Sequence, residues 1–92
     1  PGCDCSPWSD QPLIRDQGIL ASKDPVALEQ ASLDLTIAAE ALSETALPED
    51  AGTAEGKNKF ALVHPSTDGG LRQIEYAEEL GLGTRDYQLI KI

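Results

Sequence analysis

Residues 25–43 constrain this chain more than any other stretch, because they read as one long helix with two apolar sides. Asp24 is a good N-cap, and Pro25 suits the first helical position, where its missing N–H costs nothing. Leu28, Ala31, Leu35, Ala38, Ala39 and Leu42 recur every three or four residues and form one apolar stripe. Val26, Leu33 and Ile37 form a second ridge on another side, among Glu29, Glu40 and Glu44. A surface helix needs one stripe. Two imply burial on two sides, by the chain's own strands or by something outside it.

The rest of the chain must supply what packs on that helix. With 92 residues there is room for one domain with a modest core. Aromatics are few (Trp8, Phe60, Tyr76, Tyr87), so the core is aliphatic. Residues 1–12 carry three prolines and a glycine and read as a terminal loop. Leu13-Ile14 and Gly18-Ile19-Leu20-Ala21 are short apolar runs suited to buried strands. Residues 44–59, with Pro48, Gly52 and Gly56, read as a mobile loop. Phe60-Ala61-Leu62-Val63 is an apolar run of open type, stopped by Pro65. A second helix follows Thr67 or Asp68, with Leu71, Ile74, Ala77 and Leu80 inward and Gly81 as its stop. Tyr87, Leu89 and Ile90-Lys91-Ile92 suit a terminal strand or an extended tail. The expected fold is therefore α/β or α+β, two principal helices packed on a small sheet of short strands. The absence of Met, with Pro at position 1, suggests an excised piece of a longer protein.

The formal charge is −9, and residues 24–56 hold eight carboxylates with no Lys or Arg. Such a surface repels nucleic acid and anionic lipid. It reads either as a solvated helix face or as a docking face for a basic partner. No apolar run approaches the roughly 20 residues that cross a bilayer, and no signal peptide is visible, so a cytoplasmic location is expected.

Several stretches in order resemble a known group. They are Cys3-Asp4-Cys5; Asp16-x-Gly18-Ile19-Leu20-Ala21-Ser22-Lys23-Asp24-Pro25-Val26-Ala27, with Ala31 and Asp34 following; His64-Pro65; and Glu75-Tyr76-Ala77-Glu78-Glu79-Leu80-Gly81-Leu82-Gly83. Together they resemble the C-terminal part of the uncharacterised iron–sulfur-center proteins, in which a domain of unknown function is combined with a ferredoxin-type module carrying two four-iron clusters. Arg15, Gln17 and Gly69-Gly70 depart from that pattern. The resemblance implies a parent with iron–sulfur clusters held in the part outside this chain, because the C-x2-C-x2-C-x3-C-P run is absent here. It carries over no catalytic residue.

Cys3 and Cys5 are the candidate metal ligands. A disulfide between residues two apart is strained, whereas two thiolates flanking a carboxylate suit zinc or iron. A metal takes about four ligands, so the pair reads as two free thiols or as half of a site that the parent completes. His64, the only histidine, precedes Pro65, which favours an extended backbone there; it is a structural residue or a ligand. Asp34 lies mid-helix among Ala27, Ala31, Ala38 and Ala41, small residues that admit another backbone or a ligand, or it is simply exposed. Asp16 reads as a turn residue and Asp24 as a cap. No nucleophile–base pair and no phosphate loop is present, so whether the chain belongs to an enzyme stays open.

Two functions are consistent with these residues. One is a structural, metal-associated domain of an iron–sulfur-center protein whose parent works in electron transfer or redox catalysis. The other is a protein-interaction module with an acidic helix and no metal role. The expected partners are the remainder of the parent chain, or a second copy paired through Val26, Leu33 and Ile37.

Overall fold

The computed structural model describes residues 11–92. Helix α1 spans Pro25–Ala38 and starts where the sequence places it. Asp24 is extended (φ −105, ψ 109), and its Oδ1 accepts from the backbone N–H of Val26 at 2.9 Å and Ala27 at 3.0 Å. These are donors that the first helical turn leaves without partners.

α1 is five residues shorter than propensity predicts, and a buried lysine explains the stop. Lys59 is fully buried. Its Nζ donates to the carbonyls of Thr36 at 2.8 Å, Ile37 at 2.9 Å, Ala54 at 3.0 Å and, more distantly, Lys57 at 3.3 Å. The first two belong to the last turn of α1, where a cation also meets the negative end of the helix dipole. The Gly56 N–H shares the Ile37 carbonyl at 2.8 Å. With its last carbonyls taken, the chain turns extended at Ala39 (φ −71, ψ 147). Ala41 N–H then reaches Thr53 O at 2.7 Å and Leu42 N–H reaches Leu13 O at 2.8 Å.

Residues 44–58 carry one 3-10 turn, Glu49–Ala51, and lead into the lysine. The Phe60 run resolves as helix: α2, Lys59–Val63, is started by Asn58, whose side chain accepts from Ala61 N–H at 3.2 Å. Pro65 follows its end, since proline cannot continue the hydrogen-bonding pattern. α3, Leu71–Glu79, is capped from outside by Asp68, which accepts from Gly70 N–H at 3.0 Å and Arg72 N–H at 2.7 Å. Its end is a Schellman arrangement: Gly81 N–H bonds to Glu78 O at 3.0 Å, Leu82 N–H to Ala77 O at 3.1 Å, and Gly81 takes the left-handed φ of 76°.

No strand or sheet forms among the described residues, which overturns the expected α/β or α+β architecture; the protein is helical there. One isolated antiparallel bridge, Ile14 to Ala41, is what the first apolar run achieves. The second run is broken by Gly18 at φ 103°, outside strand geometry, and Ile19 is fully exposed. The third run takes up helix. Residues 87–92 have no regular secondary structure and make no backbone–backbone hydrogen bond among the described residues.

The core lies between α1 and α3. Val26, Leu33 and Ile74 are buried together, with Ile37, Leu71 and Ala77 packed around them. The second ridge of α1 is thus covered by α3. Pairing of two copies through Val26, Leu33 and Ile37 would have to displace that helix, so these residues do not offer a free surface. Leu80, expected inward, is exposed, because the Schellman turn swings the chain away after Glu79.

Two outcomes follow from this packing. Leu33→Glu should unfold the domain, seen as loss of helical circular dichroism, since a buried unpaired carboxylate costs several kcal/mol; a folded variant would place the ridge at the surface. Lys59→Met keeps the bulk but leaves the Thr36 carbonyl without a donor. It should lower stability by roughly 1–3 kcal/mol in urea denaturation, and an unchanged midpoint would mean that the ammonium is dispensable.

Candidate functional site

The two sequence-derived ligands, Cys3 and Cys5, lie outside the described residues. Among the described residues no three His, Cys, Asp or Glu side chains come together in a way that could hold a metal ion. His64 is not brought to Asp34 or to any other candidate ligand cluster. It stands instead at the end of α2, on the wall of a groove.

That groove has a volume of about 560 Å3, within the range of ligand-binding clefts. Its floor is Leu33 from α1 and Ile74 from α3, both buried, with half-exposed Phe60 from α2 at its mouth. Glu29 and Asp68 stand on its rim, and none of the described residues that line it is Lys or Arg. The α2–α3 corner that forms one wall is fixed by glycine: Gly69 has a φ of 69°, and a Cβ there would collide with the Asn58 side chain that caps α2. Thr67 steadies the same corner by donating to His64 O at 2.9 Å. A smaller hollow of about 290 Å3 shares Glu29, Gln73 and Ile74 and ends at Leu82, so the two run as one trough along the α1–α3 seam.

Asp34 sits on the other side of α1, in a polar chain. Tyr87 donates its hydroxyl to Asp34 Oδ2 at 2.6 Å, and Gln30 donates to Asp34 Oδ1 at 2.9 Å. Arg85 Nε in turn donates to Gln30 Oε1 at 2.9 Å and its guanidinium lies 3.8 Å from Glu75. Ala27 and Ala31 are buried beside them. What meets Asp34 is the chain's own C-terminal segment, through the Tyr87 side chain directly and the Arg85 side chain by way of Gln30. The hydrogen bond to Asp34, helped by desolvation and by the carboxylate charge, raises the Tyr87 pKa above its ordinary value.

Asp24 does more than cap. While Oδ1 holds the first turn of α1, Oδ2 accepts from Thr84 N–H at 3.0 Å, tying chain segments 60 residues apart. Gly83 lies so close that a Cβ would run into the Asp24 carboxylate. The backbone donors from Ala27, Thr84 and Val26 outweigh desolvation and lower the Asp24 pKa below the usual carboxylate value. The acidic stretch is thus divided: Asp24 and Asp34 are engaged in structure, while Glu29, Glu40 and Glu44 are exposed.

Lys59 escaped the sequence reading because it closes a stretch that looks like loop. The available signal was its place, directly before an apolar run and soon after 33 residues without a cation. Burial pushes its pKa down and Glu55 offsets part of that. The surrounding carbonyls favour the charged form, so the geometry marks a structural cation and not a base.

No family model, curated protein or solved structure matches the chain. No helix of the described residues is long and apolar enough to cross a membrane.

The Tyr87 latch is open to titration. Because its folded pKa is raised, its contribution to stability is present below the unfolded value near 10 and is lost as pH rises through the folded value. Ultraviolet titration should show one tyrosine ionising late, and Asp34→Asn should move it back down. A profile indifferent to Asp34→Asn would mean that the latch does not form.

Proposed function

We propose that this chain is a structural, metal-associated domain of an iron–sulfur-center protein, acting in the cytoplasm within a parent that carries out electron transfer or redox catalysis. One observation carries the reading furthest. Two of the stretches on which the resemblance rests, one containing Asp24-Pro25 and the other ending in Gly81-Leu82-Gly83, close on a single carboxylate. Glu78 of the second stretch also accepts from Arg85 N–H at 2.6 Å. These motif residues thus act as one structural unit, which supports reading them together and not as separate coincidences.

The iron–sulfur cluster itself does not fit this chain. A four-iron cluster takes four thiolates, and the whole sequence holds two cysteines. No described group supplies the rest. The contribution of this domain is therefore Cys3 and Cys5 as a pair of donors, with further ligands from the remainder of the parent. Fully exposed Ile19 supports the remainder of the parent as a neighbour.

The alternative is an interaction module with no metal role, favoured by exposed Glu29 and Glu40, neither of which forms an ion pair among the described residues. Cobalt titration separates the two. Added Co2+ should give a thiolate charge-transfer band that is lost in Cys3→Ser and in Cys5→Ser. Absence of the band in the unmodified chain would count against the metal role and leave the interaction module.

A further inference from the structure

We infer that the carbonyls around Lys59 form a binding site for a primary ammonium ion in their own right, one that the chain occupies with its own side chain and that takes a free alkylammonium ion when that side chain is cut short. The Lys59 Nζ faces the oxygens of Thr36, Ile37, Ala54 and Lys57 at 2.8, 2.9, 3.0 and 3.3 Å. An ammonium has three protons to give, so four acceptors exceed its donors and at least one of them answers to charge or to a shared proton. A neutral amine would turn a lone pair toward one of these oxygens. The cage therefore selects a positive centre. Its oxygens stand farther off than the roughly 2.3–2.6 Å at which calcium is held or the roughly 2.0–2.1 Å of magnesium, and suit an N–H donor instead. Lys59 makes no ion pair with a carboxylate among the described residues. Main-chain dipoles alone meet the charge, as they do in the carbonyl rings that take cations from solution.

Backbone bonds, and not the lysine stem, bring these oxygens together. The Ile37 carbonyl also accepts from Gly56 N–H at 2.8 Å, and the Ala54 carbonyl from Lys57 N–H at 3.0 Å. Ala54 N–H donates to Ala51 O at 3.1 Å, and Ala41 N–H to Thr53 O at 2.7 Å, which closes the same segment onto the end of α1. Ala54 is buried and holds a left-handed φ of 49°, a conformation that a Cβ disfavours. The start of α2 is fixed separately, by Asn58 accepting from Ala61 N–H at 3.2 Å. The walls of the cage are thus tied to one another, and the cation meets the acceptors that those ties leave bare.

The test is rescue of Lys59→Ala in the full chain by n-propylammonium, which matches the part of the lysine side chain beyond Cβ. Urea midpoints are compared at neutral pH with n-propylammonium chloride, with tetramethylammonium chloride at equal ionic strength, and with n-propanol. The two controls separate the ammonium group from screening of the −9 charge and from apolar filling. Lys59→Ala should be less stable than the unmodified chain and regain stability in n-propylammonium alone. Once the site is near saturation, each tenfold rise in that ion should raise the folded-to-unfolded ratio about tenfold. The unmodified chain and Lys59→Met, whose cages are already filled by a side chain, should gain no more from n-propylammonium than from tetramethylammonium. If Lys59→Ala is unfolded in tetramethylammonium chloride, helical circular dichroism should return in n-propylammonium. The inference is overturned if Lys59→Ala gains no more from n-propylammonium than from either control, if Lys59→Met gains equally, or if an unfolded Lys59→Ala stays unfolded.

Discussion

The Lys59 ammonium is the contact on which the rest of the fold depends. It reaches into a cage of backbone carbonyls from the end of α1 and from the turns around Ala54 and Lys57. Without it, the Thr36 carbonyl at the end of α1 would be a bare acceptor and the carbonyls of Ala54 and Lys57 would each lose a donor; a buried acceptor left unpaired costs more than its hydrogen bond gains when made. With it, three things are set by one side chain. α1 ends at Ala38, the following segment is folded back against the helix, and α2 begins from a fixed point. Because the donor is an ammonium and the acceptors are main-chain oxygens, the arrangement depends on backbone position and little on neighbouring side-chain identity.

What local chemistry governs was legible in the sequence. Asp24-Pro25 starts α1, and Gly81 ends α3, because caps and left-handed stops act within a few residues. The aliphatic ridge of α1 was visible too, and so was its need for cover. What covers it was not legible, since period and propensity say nothing of which segment returns. The extra five residues assigned to α1 fail for the same reason: Ala39, Ala41 and Leu42 favour helix, but a lysine far along the chain takes the carbonyls that would have continued it. The expected sheet fails because the apolar runs at 18–21 and 87–92 find no ladder partner among the described residues, and the run at 60–63 has an Asn cap in front of it that admits a helix.

The candidate site was less legible than the fold. Asp34 was singled out for its small neighbours, but what it meets is a side chain, Tyr87, which lies 53 residues away and carries no sequence mark. The groove is lined from three helices and the Gly69 corner, and its lining residues share no spacing that a motif could express. His64 reaches the groove only because α2 is a helix, which its short apolar run did not announce.

The carboxylate of Asp24 serves two masters, the opening turn of α1 and the bend at Gly83-Thr84. Positions 24 and 83 are therefore one unit in the chain's mutational landscape. While an acid stands at 24, position 83 has no room for a side chain; once the acid is gone, that restriction lifts, but the tail loses its anchor. Changes at the two positions are non-additive, as they are for any pair in direct contact. The beginning of α1 and the bend after α3 are thus written into the same group of atoms, and a change at either is felt at both.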